Sequence, residues 1–251
     1  MDKAITGTDW LRVLRSDPAP RRQLVCFPPG GGSATAYREL ARQFGSGVVV
    51  AAVQPPGRHD RLADPAIGDL HELADRIAAE LLRQAPLTEL SLFGHSMGAT
   101  VAYETAVRLE QGGQRLRTLF VSGRPAPTYA EPGRLHLASD DELIGDLERL
   151  ANDPASVAIL RAEPGLAELV LPTVRTDYRA VETYTHRSAD PLTCDIEVLV
   201  STGDPTVTPE QATGWRAHTS GGYRSHTFPG GHFYLDEQPA AVAKVVAAAL
   251  T

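Results

Sequence analysis

The chain is poor in several things, and each shortage closes a line of argument. It has two cysteines in 251 residues, Cys26 and Cys194. Two thiols build no disulfide framework, and Cys26 sits in an apolar run as a buried free thiol would. Long hydrophobic runs are missing. Val48 to Val53 is typical of the longest, whereas about 20 apolar residues are needed to cross a bilayer. The first ten residues carry Asp2, Lys3 and Asp9 without an apolar centre, which argues against a secretory signal. Lysine occurs only at Lys3 and Lys244, there is no basic run, and the formal charge is −7, all of which argues against non-specific nucleic-acid binding. The expectation is a chain resident in the cytoplasm, with neither membrane nor nucleic acid as partner. Its 42% hydrophobic and 22% charged residues are ordinary for a globular protein. The length suits one α/β domain, with or without an insertion.

What is present is organised around Leu90-Ser91-Leu92-Phe93-Gly94-His95-Ser96-Met97-Gly98-Ala99. A short apolar run stops at a Gly-His-Ser-Met-Gly turn, and a helix-forming run to Leu109 follows at once. A strand, a sharp turn and a helix with serine at the apex form a nucleophile elbow, which lifts the hydroxyl above the sheet edge. Gly94 and Gly98 belong there because a side chain at either position would collide with the neighbouring strand or helix.

The rest of the chain alternates strand and helix. Gln23 to Phe27 and Val48 to Val53 read as strands covered on both faces. Thr118 to Val121, Ile196 to Val200 and Tyr223 to Phe228 continue the set. Helical spacing appears at Thr35 to Phe44, Ile67 to Ala85, Pro209 to His218 and Glu237 to Leu250. Residues 1–22 read as a leader with one apolar anchor, Trp10-Leu11. The fold class is therefore α/β, with a mostly parallel sheet flanked by helices. The rhythm breaks between about 125 and 185, where no strand is convincing. Ser139 to Glu142 forms a capping box before a helix. A second helix spans Pro154 to Leu160, and a third runs from about Gly165 to Tyr184, which Pro172 should kink or split. The expectation is a single domain over 1–251, with its core at about 1–124 and 186–251 and a helical lid at about 125–185.

A serine hydroxyl needs a base within hydrogen-bond reach, and the base needs an orienting carboxylate. In such a sheet all three lie just after strands. Of eight histidines, only His232 sits in a glycine-flanked loop after the last strand. His95 belongs to the turn itself and should point away from the serine. His71 and His218 lie in helices, and His226 lies inside a strand. Among acids, Asp204 follows a strand. Asp195 starts one, and Asp177 and Asp190 belong to the insertion or its exit. The order Ser96, Asp204, His232 is that of α/β hydrolases. An oxyanion hole needs two backbone N–H donors. Met97 supplies one. The other comes from Pro28-Pro29-Gly30-Gly31-Gly32-Ser33, where Gly30 is the first residue with a donor and Gly31 the alternate. The loop lacks both the G-x-G-x-x-G and Gly-Lys-Ser patterns of phosphate sites.

With these residues in place, the chain resembles the type II thioesterases, the stand-alone editing hydrolases found beside polyketide synthases and nonribosomal peptide synthetases. The resemblance runs through Cys26-Phe27-Pro28, Gly31 to Ala34, Gln54-Pro55-Pro56-Gly57-Arg58 and Gly94 to Gly98. It continues through Ser122-Gly123-Arg124-Pro125-Ala126-Pro127, Asp177-Tyr178-Arg179-Ala180-Val181-Glu182-Thr183-Tyr184 and Gly230-Gly231-His232-Phe233. Pro29 departs from it, standing where the family commonly has His. The resemblance implies a substrate: an acyl group thioesterified to the phosphopantetheine arm of an acyl or peptidyl carrier protein. It also implies that no metal or redox cofactor is needed, since the arm belongs to the partner. Leu143, Leu147, Val174 and Tyr178 are candidates for a substrate chamber under the lid. Arg58, Arg61, Arg124 and Arg134 are candidates for carrier docking, and a monomer is expected. Three other readings stay open: a generic carboxylesterase or lipase of the same fold, a carrier-binding protein without turnover, and a terminal thioesterase domain cut from a megasynthase. The N-terminus and the lack of a linker favour a free-standing protein over the last.

Overall fold

The computed structural model describes residues 4–130 and 132–250. Leu11–Arg15 (β1), Arg22–Phe27 (β2), Val48–Val53 (β3), Leu90–His95 (β4), Thr118–Ser122 (β5), Asp195–Ser201 (β6) and Tyr223–Phe228 (β7) form one sheet in the order β1-β3-β2-β4-β5-β6-β7. Every neighbouring pair is parallel except β1 with β3. The residues expected to form a leader thus include an edge strand, and Leu11, half of the expected anchor, is fully buried. The first three residues of that segment lie outside the described residues. The remaining strands agree with the apolar runs to within about two residues at each end.

Helices cover both faces of the sheet. Arg38–Arg42 (α1) is preceded by a 3-10 turn, and Leu70–Gln84 (α2) and Met97–Gln111 (α3) follow in sequence. The inner strands β2 and β3 are apolar at nearly consecutive positions because each face has its own cover. Val49, Ala51 and Val53 of β3 pack in the core shared with α2 and α3. Val50 and Ala52 pack on the opposite face, with Leu40 of α1.

Asp140–Leu150 (α4), Pro154–Ala162 (α5) and Pro164–Glu182 (α6) lie between β5 and β6 and build a small core of their own from Leu143, Ile144, Leu160, Leu171 and Val174. The capping box at Ser139 is present, with reciprocal Ser139 and Glu142 bonds. Pro172 does not split α6. Its neighbours Leu171 and Val174 are buried in the insertion's core, and that packing outweighs the one backbone hydrogen bond a proline removes.

Two helix expectations change in detail. Pro209–Ala212 (α7) is a single capped turn that passes into a 3-10 turn at Thr213–His218. The closing helix expected over Glu237 to Leu250 begins at Pro239 (Pro239–Leu250, α9), and a separate turn, Tyr234–Glu237 (α8), precedes it. Proline disfavours helical geometry in the residue before it, and Gln238 stands at φ −128°, ψ 44° between the two.

Candidate active site

The site is built where β4 ends. Ser96 stands at φ 54°, ψ −126°, caps α3, and donates its N–H to the Ser122 carbonyl at 2.9 Å. Such a backbone is costly for a residue with a Cβ and persists only when its surroundings hold it. The two glycines show what holds it. A Cβ on Gly94 would lie 2.2 Å from the Gly98 carbonyl oxygen, and one on Gly98 would lie 2.1 Å from that of Phe27. The strand, the helix and the start of the glycine-rich loop therefore approach backbone to backbone around the serine. The N–H of Met97, the first residue of α3, has no acceptor within its own helix and lies at the positive end of the helix dipole.

His232 follows β7 and Asp204 follows β6. Their side chains are 1% and 0% exposed and meet through His232 Nδ1 and Asp204 Oδ2 at 2.8 Å. Thr206, which the sequence reading missed, completes the pair. Its hydroxyl and N–H donate to Asp204 Oδ1 at 2.7 and 2.8 Å, and the hydroxyl lies 3.2 Å from His232 Nδ1. Burial raises the Asp204 pKa, but the hydrogen bond and charge of His232 and the two Thr206 bonds outweigh it and hold the carboxyl below its ordinary value. Asp204 therefore fixes a proton on Nδ1 and leaves Nε2 as the basic atom.

His95 is fully buried beside this pair. Its Nδ1 meets the Ser122 hydroxyl at 2.9 Å, Ser122 meets the Tyr234 hydroxyl at 2.7 Å, and its ring lies 4.8 Å from that of His232. Burial, and then the charge of His232, push its pKa well below the usual value, so it stays neutral. The other six histidines have partners of their own: His226 with Glu197, His136 with Glu182, His71 with Glu104, His218 with Tyr103, His59 with Asp60 and His186 with Tyr184.

Pro29, Gly30, Ser96, Met97, Thr206 and His232 line one cavity, open to solvent, with α4 and α6 on its other side. The two candidate loop donors are not equivalent. The Gly31 N–H is taken by Asp177 Oδ2 at 2.7 Å. The Gly30 N–H has no acceptor among the described residues. Of the chamber candidates, Leu147 and Tyr178 line the cavity. Leu143 and Val174 pack instead in the insertion's own core. The Tyr178 hydroxyl donates to Asp146 Oδ2 at 2.6 Å.

The arginines suggested for docking fall into different environments. Arg58 is buried and forks onto Asp177, so it is unavailable to a partner. Arg61 pairs with Asp64 and covers the Trp10 ring. Arg124 lines the cavity. Among the described residues no helix is long and apolar enough to cross a membrane.

Comparison with known proteins gives the family and the fold. The Thioesterase domain family matches residues 22–250. The chain is 42% identical over 247 residues to the probable cadicidin biosynthesis thioesterase of Streptomyces griseus, across 98% of this chain and 67% of that one. The type II thioesterase BorB, from the borrelidin biosynthetic cluster, superposes with a TM-score of 0.88 at 40% identity, covering 98% of this chain and all of that one (100%). RedJ, a thioesterase of the prodiginine pathway in Streptomyces coelicolor, gives a TM-score of 0.82 at 35% identity over 90% of this chain and 86% of that one.

Proposed function

Because the chain belongs to the thioesterase family and has the α/β-hydrolase fold, we propose that it is a type II editing thioesterase that removes aberrant or stalled acyl groups from the phosphopantetheine arms of carrier proteins. One observation carries the site assignment: a buried Asp204–His232 pair, Ser96 and two backbone donors, Met97 and Gly30, converge on one cavity beneath a helical insertion. The insertion at about 125–185 acts as its lid.

Ser96 Oγ attacks the thioester carbonyl carbon as its proton passes to His232 Nε2. Asp204 stabilises the imidazolium from the Nδ1 side. The carbonyl oxygen takes up negative charge toward the Gly30 and Met97 N–H groups. The C–S bond breaks and His232 returns the proton to the departing thiolate. An ordinary thiol has a pKa of about 8.5, so little help is needed from the acid. Water gives a proton to His232 Nε2 and attacks the acyl-serine carbonyl; the C–Oγ bond then breaks, His232 returns the proton to Ser96 Oγ, and the acid is released. The pantetheine arrives on the partner, and no step calls for a metal or redox cofactor.

The decisive comparison is between an acyl-carrier thioester and the matched oxygen ester. The reading expects a preference for the thioester and loss of turnover in Ser96→Ala without unfolding. A strong preference for the oxygen ester would overturn the substrate assignment, and retained turnover in Ser96→Ala would overturn the nucleophile.

A further inference from the structure

Arg58 and Asp177 belong to the site described but have no part in the proton transfers above. Asp177 lies on α6 of the insertion, and Arg58 follows β3. Their side chains are 2% and 9% exposed. Arg58 Nη1 donates to Asp177 Oδ2 at 2.5 Å and Nη2 to Oδ1 at 2.8 Å. The same Oδ2 accepts the Gly31 N–H at 2.7 Å, and Nη1 also reaches the Gly32 carbonyl at 3.2 Å. One turn earlier on α6, Thr173 donates to the Gly57 carbonyl at 2.7 Å. Val174 presses close enough that a Cβ on Gly31 would meet it at 3.2 Å. The glycines next to Gly30 are therefore held from outside the loop, by a helix and an arginine distant in sequence.

The geometry points to Asp177 and Arg58 as positioning residues for the oxyanion donor: the carboxylate anchors the Gly30–Gly32 loop through the Gly31 N–H, and Arg58 both fixes and neutralises that carboxylate. The inference rests on the thioesterase reading of the site. The loop's own backbone closure is one turn bond, from the Gly32 N–H to the Pro29 carbonyl at 2.9 Å, and Gly31 inside that turn stands at φ +72° in a glycine run of low intrinsic stiffness. That bond closes the turn but does not tie it to the rest of the site, so without Asp177 the turn as a whole, and the Gly30 N–H with it, can shift from the place where charge develops. A lone carboxylate lining the same cavity would also oppose a second negative charge forming there. The fork removes that opposition and sets the carboxylate's orientation. Lysine could supply the charge but not the two-point geometry.

The test uses the full chain with Asp177→Asn, Asp177→Ala and Arg58→Lys, each checked for folding by thermal melt. Two quantities are read: kcat and KM for a thioester, and inhibition by a trifluoromethyl ketone analogue of the acyl-pantetheine. Ser96 Oγ adds to that ketone carbon, its proton passes to His232, and the tetrahedral oxyanion sits against Gly30 and Met97. Displacing an oxyanion donor by about 1 Å costs up to about 100-fold. We expect kcat to fall about 10- to 100-fold with KM within about threefold, and ketone affinity to weaken in parallel. The loss should be smaller in Asp177→Asn, which keeps an acceptor for Gly31, than in Asp177→Ala, with Arg58→Lys milder than Asp177→Ala. The pH midpoint of kcat should stay put, because Asp204 and His232 are untouched. Folded variants with native kcat and ketone affinity, or with only KM or melting temperature changed, would reduce the pair to a structural strap and overturn the inference. A wild-type chain that neither binds the ketone nor hydrolyses thioesters would overturn the site reading itself and this inference with it.

Discussion

Gly98→Ala perturbs the point where the serine turn meets the oxyanion loop. The added Cβ would lie 2.1 Å from the Phe27 carbonyl oxygen, 2.6 Å from that of Pro28 and 2.7 Å from the Phe27 carbonyl carbon. All three are backbone atoms, so no side chain can swing aside. Relief to an ordinary contact of 3.4 Å demands a shift of about 1.3 Å. Phe27 ends β2, which is hydrogen-bonded on both sides by β3 and β4. The movement must therefore fall on the start of α3, which carries Met97, or on the loop that carries Gly30. Overpacking of this kind costs about 1–3 kcal/mol, which at about 2–4 °C per kcal/mol for a chain of this size lowers Tm by roughly 2–12 °C. A displacement of about 1 Å in a reacting group costs about 100-fold in rate. Thermal melts and kcat on a thioester, measured at a temperature where the variant is folded, check both. Gly165→Ala is the control: it lies in α6 with nothing within 4 Å of its added Cβ, and should leave kcat unchanged and stability equal or higher by up to about 1 kcal/mol. Native kcat and Tm in Gly98→Ala would refute the claim that the elbow and the loop are one packed unit.

Other consequences can be measured directly. Asp204→Asn keeps the Thr206 contacts but places an NH₂ against His232 Nδ1, which moves the ring proton to Nε2 and blocks the base; kcat should fall about 10⁴-fold with Tm nearly unchanged, and a loss under tenfold would contradict the role given to Asp204. Mild acid should weaken the fold through two buried histidines. Burial, and then the charge of His186, lower the His218 pKa to about 4 from an ordinary 6.5, and His95 is lowered by burial in the same direction. Between pH 6.5 and 4 the unfolded chain binds protons that the folded chain refuses, so stability falls as pH falls. After discounting for partial water access, His218 contributes on the order of 1–2 kcal/mol of that loss at pH 5. Asp204, whose pKa is depressed, keeps its contribution through that window and loses it only at lower pH. Urea midpoints at pH 7 and pH 5 check this, and equal or higher stability at pH 5 would contradict it.

The inner strands were legible because burial on both faces makes them short, mostly apolar runs, and the turn residues that bound them, Gln54-Pro55-Pro56-Gly57 after β3 and the glycine-flanked serine after β4, argue for strand over helix. Strand β1 was not. Leu11-Arg12-Val13-Leu14-Arg15 carries two arginines, and as an edge strand with one neighbour it reads as surface. Ser96, Asp204 and His232 could be placed from their positions after strands and the glycines around them. Thr206 gave no such signal, since a threonine two residues past an aspartate is common in any turn. The Arg58–Asp177 pair joins residues 119 apart, and nothing local in either motif names the other as partner. Leu143 and Leu147 share one helix face, four residues apart, so periodicity could not say that the first faces the insertion's own core and the second the cavity.

Acyl transfer to the chain itself tests the central claim most directly. Wild-type protein is mixed with a stoichiometric acyl-carrier thioester, quenched on the millisecond scale, digested and weighed. A transient acyl mass is expected on the peptide bearing Ser96, appearing together with one equivalent of free carrier thiol and absent in Ser96→Ala. Thiol release with no acyl mass on that peptide, or at an equal rate in Ser96→Ala, would contradict it.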